Sequence, residues 1–149
     1  MSNLATNKKA TFNYFLLDKY EAGLVLTGHE VRSIKDGRIS LKGSFISIRQ
    51  GELFLVNALI FSFQPANKPT NFTPERPKKL LLQKKEIKSL ISKTKEKGVT
   101  LVPLKVYLKR NKIKLEFALA KGKKKWDKRE AIKQKDIKRR INRAKVYTH

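Results

Sequence analysis

The sequence predicts a mainly β domain with short helices: a small closed or partly open barrel with two or three added helices and a basic C-terminal tail. Three observations carry this. Short apolar runs alternate with period two between tight-turn residues. Two stretches switch to helical spacing. From residue 121 onward the Leu, Val and Phe that make cores become scarce while charge rises. A chain of 149 residues suits one body with appendages rather than two independent cores.

Along the chain, Phe12 to Leu26 is rich in aromatic and branched residues and is interrupted at Glu21-Ala22-Gly23, which predicts two strands around a tight bend, as a hairpin or a bulge. Thr27 and Glu30 then stand three apart, the spacing of a capping box, ahead of Val31 and Ile34; a short helix ending near Asp36-Gly37 follows. Ser44 to Ile60 alternates on both sides of Gln50-Gly51 and predicts a hairpin. Gln64 to Pro77 carries four prolines and reads as a loop. Ile87, Leu90 and Ile91 sit at helical spacing in a Lys-rich segment that Gly98 terminates. Thr100 to Leu108 and Lys112 to Ala120 alternate around Lys109-Arg110-Asn111 as a second hairpin, with Pro103 marking an edge or a bulge. The count is six or seven strands in the order β, α, β-β, α, β-β, a pattern that suits a small barrel such as the oligonucleotide-binding fold.

Charge narrows the function. Thirty-six Lys and Arg stand against 12 Asp and Glu, a formal +24, beside 40% apolar residues that can still build a core. Such a field gathers polyanions, either nucleic acid or anionic lipid. No window approaches the ~18 consecutive apolar residues of a spanning helix, and Met1 to Ala10 lacks the apolar stretch of a secretory signal. A cytoplasmic, monomeric protein with no membrane partner is expected, and the absence of Cys fits a reducing compartment. Catalysis finds little support: the only His are His29 and the terminal His149, no metal-ligand spacing occurs, and Gly122 in its lysine run lacks the second glycine and the Ser or Thr of a phosphate loop. Neither an enzyme nor a bound cofactor is expected.

Individual residues have paired readings. A carboxylate in a polyanion-binding protein can accept from a base amino group or a ribose hydroxyl; Glu21 and Glu30 are candidates, against a surface ion pair for Glu21 and the capping box for Glu30. Leu80 to Leu82 are most simply a buried strand, with an exposed leucine packed on an unstacked base as the alternative. His29 at a helix start can meet a ribose or phosphate, or can be an ordinary polar residue.

The tail is the most informative element. From Lys121 to His149 there are thirteen Lys and Arg against three Asp and Glu, a net +10 in 29 residues. Trp126 stands among these cations, where an aromatic can stack on a base while its neighbours hold phosphates. Asp127 and Glu130 have capping-box spacing, and Ile132, Ile137 and Ile141 make too sparse a stripe for core packing. The division expected is a body of residues 1–121 and a tail of residues 122–149 that is disordered when free and helical when bound.

Several blocks together resemble the small protein B family over nearly the whole chain: Asn7-Lys8-Lys9-Ala10, Tyr20-Glu21-Ala22-Gly23, Thr27-Gly28 with Glu30-Val31, Lys78-Lys79-Leu80-Leu81-Leu82, Ala120-Lys121-Gly122-Lys123-Lys124 and Asp127-Lys128-Arg129. The resemblance implies an oligonucleotide-binding-type barrel that clasps the tRNA-like domain of transfer-messenger RNA and delivers it to stalled ribosomes for trans-translation. Glu21, Leu81 and Lys114 match positions associated with that RNA, and Lys8, Lys9, Glu30, Arg32 and Lys121 are added as candidate RNA-binding residues. Gly122, Lys123, Lys124, Trp126, Asp127, Lys128 and Arg129 would lie in the decoding centre and the empty mRNA channel. Elongation factor Tu is an expected partner in the delivery complex. One departure stands out: Thr11-Phe12-Asn13-Tyr14 replaces the family's common Arg-His before Asp or Glu and Tyr.

Two other readings remain open on residues alone. One is a general ribosomal or single-strand RNA-binding protein of the same barrel class. The other is a polybasic tether to membrane or nucleic acid, with the body as scaffold.

Overall fold

A computed structural model describes residues 2–62 and 73–123, together with Arg129 and Ile137. Seven strands form one antiparallel sheet and two short ones a second. In chain order these are β1 (Ser2–Thr6), β2 (Tyr14–Leu24), β3 (Ile39–Ser40), β4 (Phe45–Arg49), β5 (Glu52–Val56), β6 (Leu59–Ile60), β7 (Lys78–Leu81), β8 (Val99–Lys109) and β9 (Lys112–Gly122), with helices α1 (Ala10–Asn13), α2 (Gly28–Lys35) and α3 (Lys84–Lys93). The large sheet runs β1-β8-β9-β2-β7-β5-β4, and β3 pairs with β6. It curls until β4 comes beside β8, without a ladder between them. The result is a barrel-like body left open at one seam.

Both hairpins form where the sequence placed them. Gln50 and Gly51 (φ 50° and 74°) and Arg110 and Asn111 (φ 51° and 63°) turn the chain, and two successive positive φ values match the right-handed twist of the flanking strands. A register shift between Pro103 and Lys105 is the bulge that Pro103 signalled, although β8 lies between β1 and β9 and is not an edge. The bulge spares a central strand the ladder donor that proline lacks.

The expected bend at Glu21-Ala22-Gly23 does not occur. β2 is a single 11-residue strand, and its irregularity is a bulge between Leu16 and Asp18. Ala22 and Leu24 point into the core while Glu21 and Gly23 point out, so alternation runs straight through the glycine. Three elements were not foreseen: β1, which pairs with β8 across a shift between Asn3 and Ala5, the one-turn helix α1, and the two-residue strand β3, which pairs with β6.

One face of the curled sheet makes the main core, with Ala22, Leu53, Leu55, Leu80, Val106, Leu115 and Phe117 closed over by Ile34 of α2 and Leu90 of α3. A second, smaller cluster lies under α1, where Ala10 packs with Val102, Leu104, Ala118 and Ala120. Thr27 caps α2 as the spacing predicts, its hydroxyl accepting from the Glu30 amide while Glu30 accepts from the Thr27 amide. The remaining outer face, between α1 and β4, is where the chain's exposed chemistry collects.

Candidate nucleic-acid interface

The outer face is organised by strand register. Residues directly opposite in an antiparallel ladder share a face, and one such row crosses five strands: Leu81 on β7 faces Gly23 on β2, which faces Lys114 on β9, which faces Tyr107 on β8, which faces Asn3 on β1. Residues separated by up to 104 positions in sequence, Asn3 and Tyr107, are thereby set side by side. Leu81 is 54% exposed. A β-carbon at position 23 would stand 3.4 Å from the Cβ and Cδ1 of Leu81, so the glycine is the floor on which that leucine lies.

Glu21, two residues along β2, shares this face. The Tyr107 hydroxyl donates to Glu21 Oε2, and Lys109 Nζ lies 3.4 Å from both carboxylate oxygens. The Tyr107 hydrogen bond, aided by the charges of Lys109 and Lys114, holds the Glu21 carboxyl below its ordinary range. Burial and the carboxylate push the Tyr107 phenol well above its usual value, so it stays a donor. Glu116, opposite Glu21, takes Lys105 at 3.5 Å and Lys19 at 3.9 Å. The face thus offers one fixed, partly exposed carboxylate, one exposed leucine and a ring of lysines. That combination can accept from a base or ribose, cover a base face and neutralise phosphates.

Glu30 sits elsewhere. It is 2% exposed, and beyond its bond to the Thr27 amide it receives a two-pronged guanidinium, Arg76 Nη2 at 2.5 Å and Nε at 3.3 Å. Hydrogen bonds from Arg76 and Thr27 outweigh the burial that acts first on this carboxyl, and its pKa is lowered. Its direct task is therefore internal. Arg76 also donates to the carbonyls of Val25 and Pro77. Beside it Lys78, 1% exposed, donates to the carbonyls of Ala58 and Pro74, and burial lowers its pKa to about 8.

The remaining candidates are spread over the body. Arg32 is exposed on α2. Lys8 and Lys9 line a cleft of about 750 Å³ bounded by α1, residues 39–45 and the start of β8. Lys121 is exposed at the end of β9, opposite Phe15. Gly122 ends that strand, and Lys123 is fastened to α1: its amide donates to the Asn13 carbonyl at 2.9 Å and its Nζ to the Thr11 carbonyl at 2.9 Å. The same ammonium stands 5.0 Å from the Phe15 ring centre. Arg129 is helical and exposed; Lys124, Trp126, Asp127 and Lys128 lie outside the described residues.

Sequence reasoning missed Tyr107, Arg76 and Lys78. Tyr107 was visible only as an alternating strand residue, because its face depends on the Pro103 bulge. Arg76 and Lys78 were assigned no role, since nothing local links them to Glu30, 46 residues away.

Among the described residues no group of His, Cys, Asp and Glu is placed to hold a metal, and no helix is long and apolar enough to cross a membrane. A strongly basic antiparallel barrel with a polar, cation-ringed sheet face defines a nucleic-acid-binding protein of the barrel class. Comparison makes this specific. The family model described as SmpB protein matches residues 4–147. A protein of Sulfurihydrogenibium sp. (strain YO3AOP1) named SsrA-binding protein is 55% identical over 141 residues, covering 95% of this chain and 92% of that one. The SsrA-binding protein of Bacillus subtilis (strain 168) is 50% identical, covering 95% and 90%. A solved structure described as "tmRNA-SmpB: a journey to the center of the bacterial ribosome" superposes with a TM-score of 0.66 at 40% identity, covering 85% of this chain and 92% of that one. The chain belongs to the SmpB family.

Proposed function

We propose that this protein binds the tRNA-like domain of transfer-messenger RNA through the outer sheet face and delivers it to stalled ribosomes for trans-translation. The observation that carries this is the assembly of Glu21, Leu81 and Lys114 around Gly23 on one exposed face. These are the three residues that the family resemblance associates with RNA. SsrA-binding relatives and a tmRNA-SmpB structure on the ribosome support the same partners. Lys8, Lys9, Arg32 and Lys121 supply the surrounding positive field, and Glu30 contributes by holding Arg76 and α2 in place.

The tail, residues 122–149, is tied to the body through Gly122 and Lys123 and beyond them enters the empty mRNA channel. There Lys124, Trp126, Asp127, Lys128 and Arg129 meet the decoding centre, with Gly122 and Lys123 at the junction with the body. Specificity arises from exclusion, because an intact message occupies the same anionic channel and blocks entry. The protein works in the cytoplasm as a monomer, with elongation factor Tu in the delivery complex, and performs no catalysis itself.

The test is competition between transfer-messenger RNA and excess bulk tRNA at roughly 0.2 M salt, where nonspecific phosphate binding is suppressed. Selective binding by the full chain and by a truncation after Lys121 supports this reading. Equal competition by bulk tRNA overturns it in favour of a general RNA-binding protein.

A further inference from the structure

The row through Gly23 does not exhaust the outer face. One step further along β2, Val25 follows Glu21 and Gly23 in the alternation, and its amide donates to the Lys79 carbonyl, which continues the pairing of β2 with β7. Lys79 in turn faces Phe54 on β5, and Phe54 faces Ser47 on β4. A second row, Val25–Lys79–Phe54–Ser47, therefore lies beside the first on the same face. Its neighbours along each strand, Leu53, Leu55, Leu80 and Leu24, are turned into the core.

This row has an unusual composition for a solvated face. Val25 is 43% exposed, and Phe54 is partly exposed although it could have turned inward only at the expense of Leu53 and Leu55. Lys79 stands between the two, its Nζ drawn sideways to Glu52 at 3.8 Å. Leu81 adjoins Lys79 at the end of β7. The arrangement is an apolar and aromatic strip with one cation, Lys79, set in it, in a protein of formal charge +24. Sheets that present an aromatic ring between lysines are the common device for holding an unstacked base while its phosphates are neutralised. A second protein would have to be strongly acidic to dock here; RNA meets both the ring and the charge.

We propose that Phe54 and Val25, on either side of Lys79, form a second base-binding station, next to the Leu81 site on the same sheet face. The proposal rests on the function proposed above and extends it by naming a further contact residue. Phe54 covers the face of one unpaired base, Val25 closes the side of the station toward α2, and Lys79 holds the adjoining phosphate.

The experiment uses the full chain and the tRNA-like domain of transfer-messenger RNA. Phe54→Leu keeps apolar volume and charge but removes the ring; affinity should fall by about 5- to 150-fold, the range of one lost base–aromatic stack. The slope of log affinity against log salt should not change, because no phosphate contact is removed. In parallel, Phe54→Trp combined with Trp126→Phe leaves one indole, at position 54, and RNA should quench its fluorescence relative to the same chain without RNA. Wild-type affinity in the leucine variant, or an indole unmoved by RNA, overturns the station. If the leucine variant fails to fold by circular dichroism, the fluorescence result alone decides. The unmodified chain separates two failures: no preference over bulk tRNA removes the proposed function and the station with it, whereas a selective chain with an indifferent leucine variant removes the station alone.

Discussion

Glu21 on β2 stands directly across the ladder from Glu116 on β9. Like charges in that position repel, yet here each has its own cations: Lys109 beside Glu21, and Lys105 with Lys19 beside Glu116. The Tyr107 hydroxyl adds a bond to Glu21 that Glu116 lacks among the described residues. Two carboxylates are thus distinguished, one neutralised by ion pairs and one held in addition by a buried phenol on the outer sheet face.

Removing that phenol should release Glu21. Tyr107→Phe is expected to cost roughly 1–3 kcal/mol of stability, the range for a bond to a charged group. The carboxyl's pKa, now below its ordinary 4.5, should move back up. A group with a depressed folded pKa stabilises above its unfolded value and loses that contribution as pH falls through the folded one. In the phenylalanine variant the folded and unfolded pKa values converge, so the part of the acid loss that comes from Glu21 should shrink and stability should fall less steeply with acid, as read by melts between pH 3 and 6, roughly the range where carboxylates titrate.

Gly23 should tolerate one carbon and not three. In Gly23→Ala the new Cβ meets Leu81 at 3.4 Å, a contact that a small shift accommodates. Gly23→Val adds branches that must displace the leucine. The alanine variant should bind RNA close to normally and the valine variant about tenfold more weakly, a difference of ~1.4 kcal/mol, with similar melting temperatures.

Arg76→Ala leaves Glu30 buried without its guanidinium. Losing one partner of a fully buried pair costs ~3–5 kcal/mol. Arg76 is 37% exposed, so water reaches the vacated side and about 2–3 kcal/mol is expected. Denaturant melts measure this, and Arg76→Lys should recover only part because one ammonium cannot form the two-pronged bond.

Lys78 should make stability rise in alkali. Its folded pKa of about 8 lies below the ordinary 10.5, so between those values the unfolded chain binds more protons and raising pH favours folding. Below pH 8 the penalty of the buried ammonium is present in full. Relative to Lys78→Met, which has no such group, the unmodified protein should gain stability between pH 8 and 10.5; parallel curves for the two would refute the shift.

Local rules served well where the cause was local. Gln50-Gly51, Thr27 with Glu30, and the Ile87 and Leu90 spacing each named their element, because a turn, a cap and an amphipathic helix are decided within a few residues. Glu21-Ala22-Gly23 misled because glycine usually marks a bend, whereas this one makes room for a side chain from another strand. β1 and α1 escaped notice because their stability comes from β8 and the small cluster around Ala10, not from their own pattern. Glu21, Leu81 and Lys114 were legible from resemblance. Tyr107 and Arg76 were not, since their partners are 86 and 46 positions away.

Lys123 is fastened to α1 just ahead of Tyr14. Both of its bonds end on main-chain oxygens, those of Thr11 and Asn13. Every residue owns a carbonyl, so the anchorage is blind to which side chains occupy those positions. Substitution at residues 11 and 12 is free to change what the surface there touches without altering how the end of β9 is held. The anchorage and the contact surface are inherited separately.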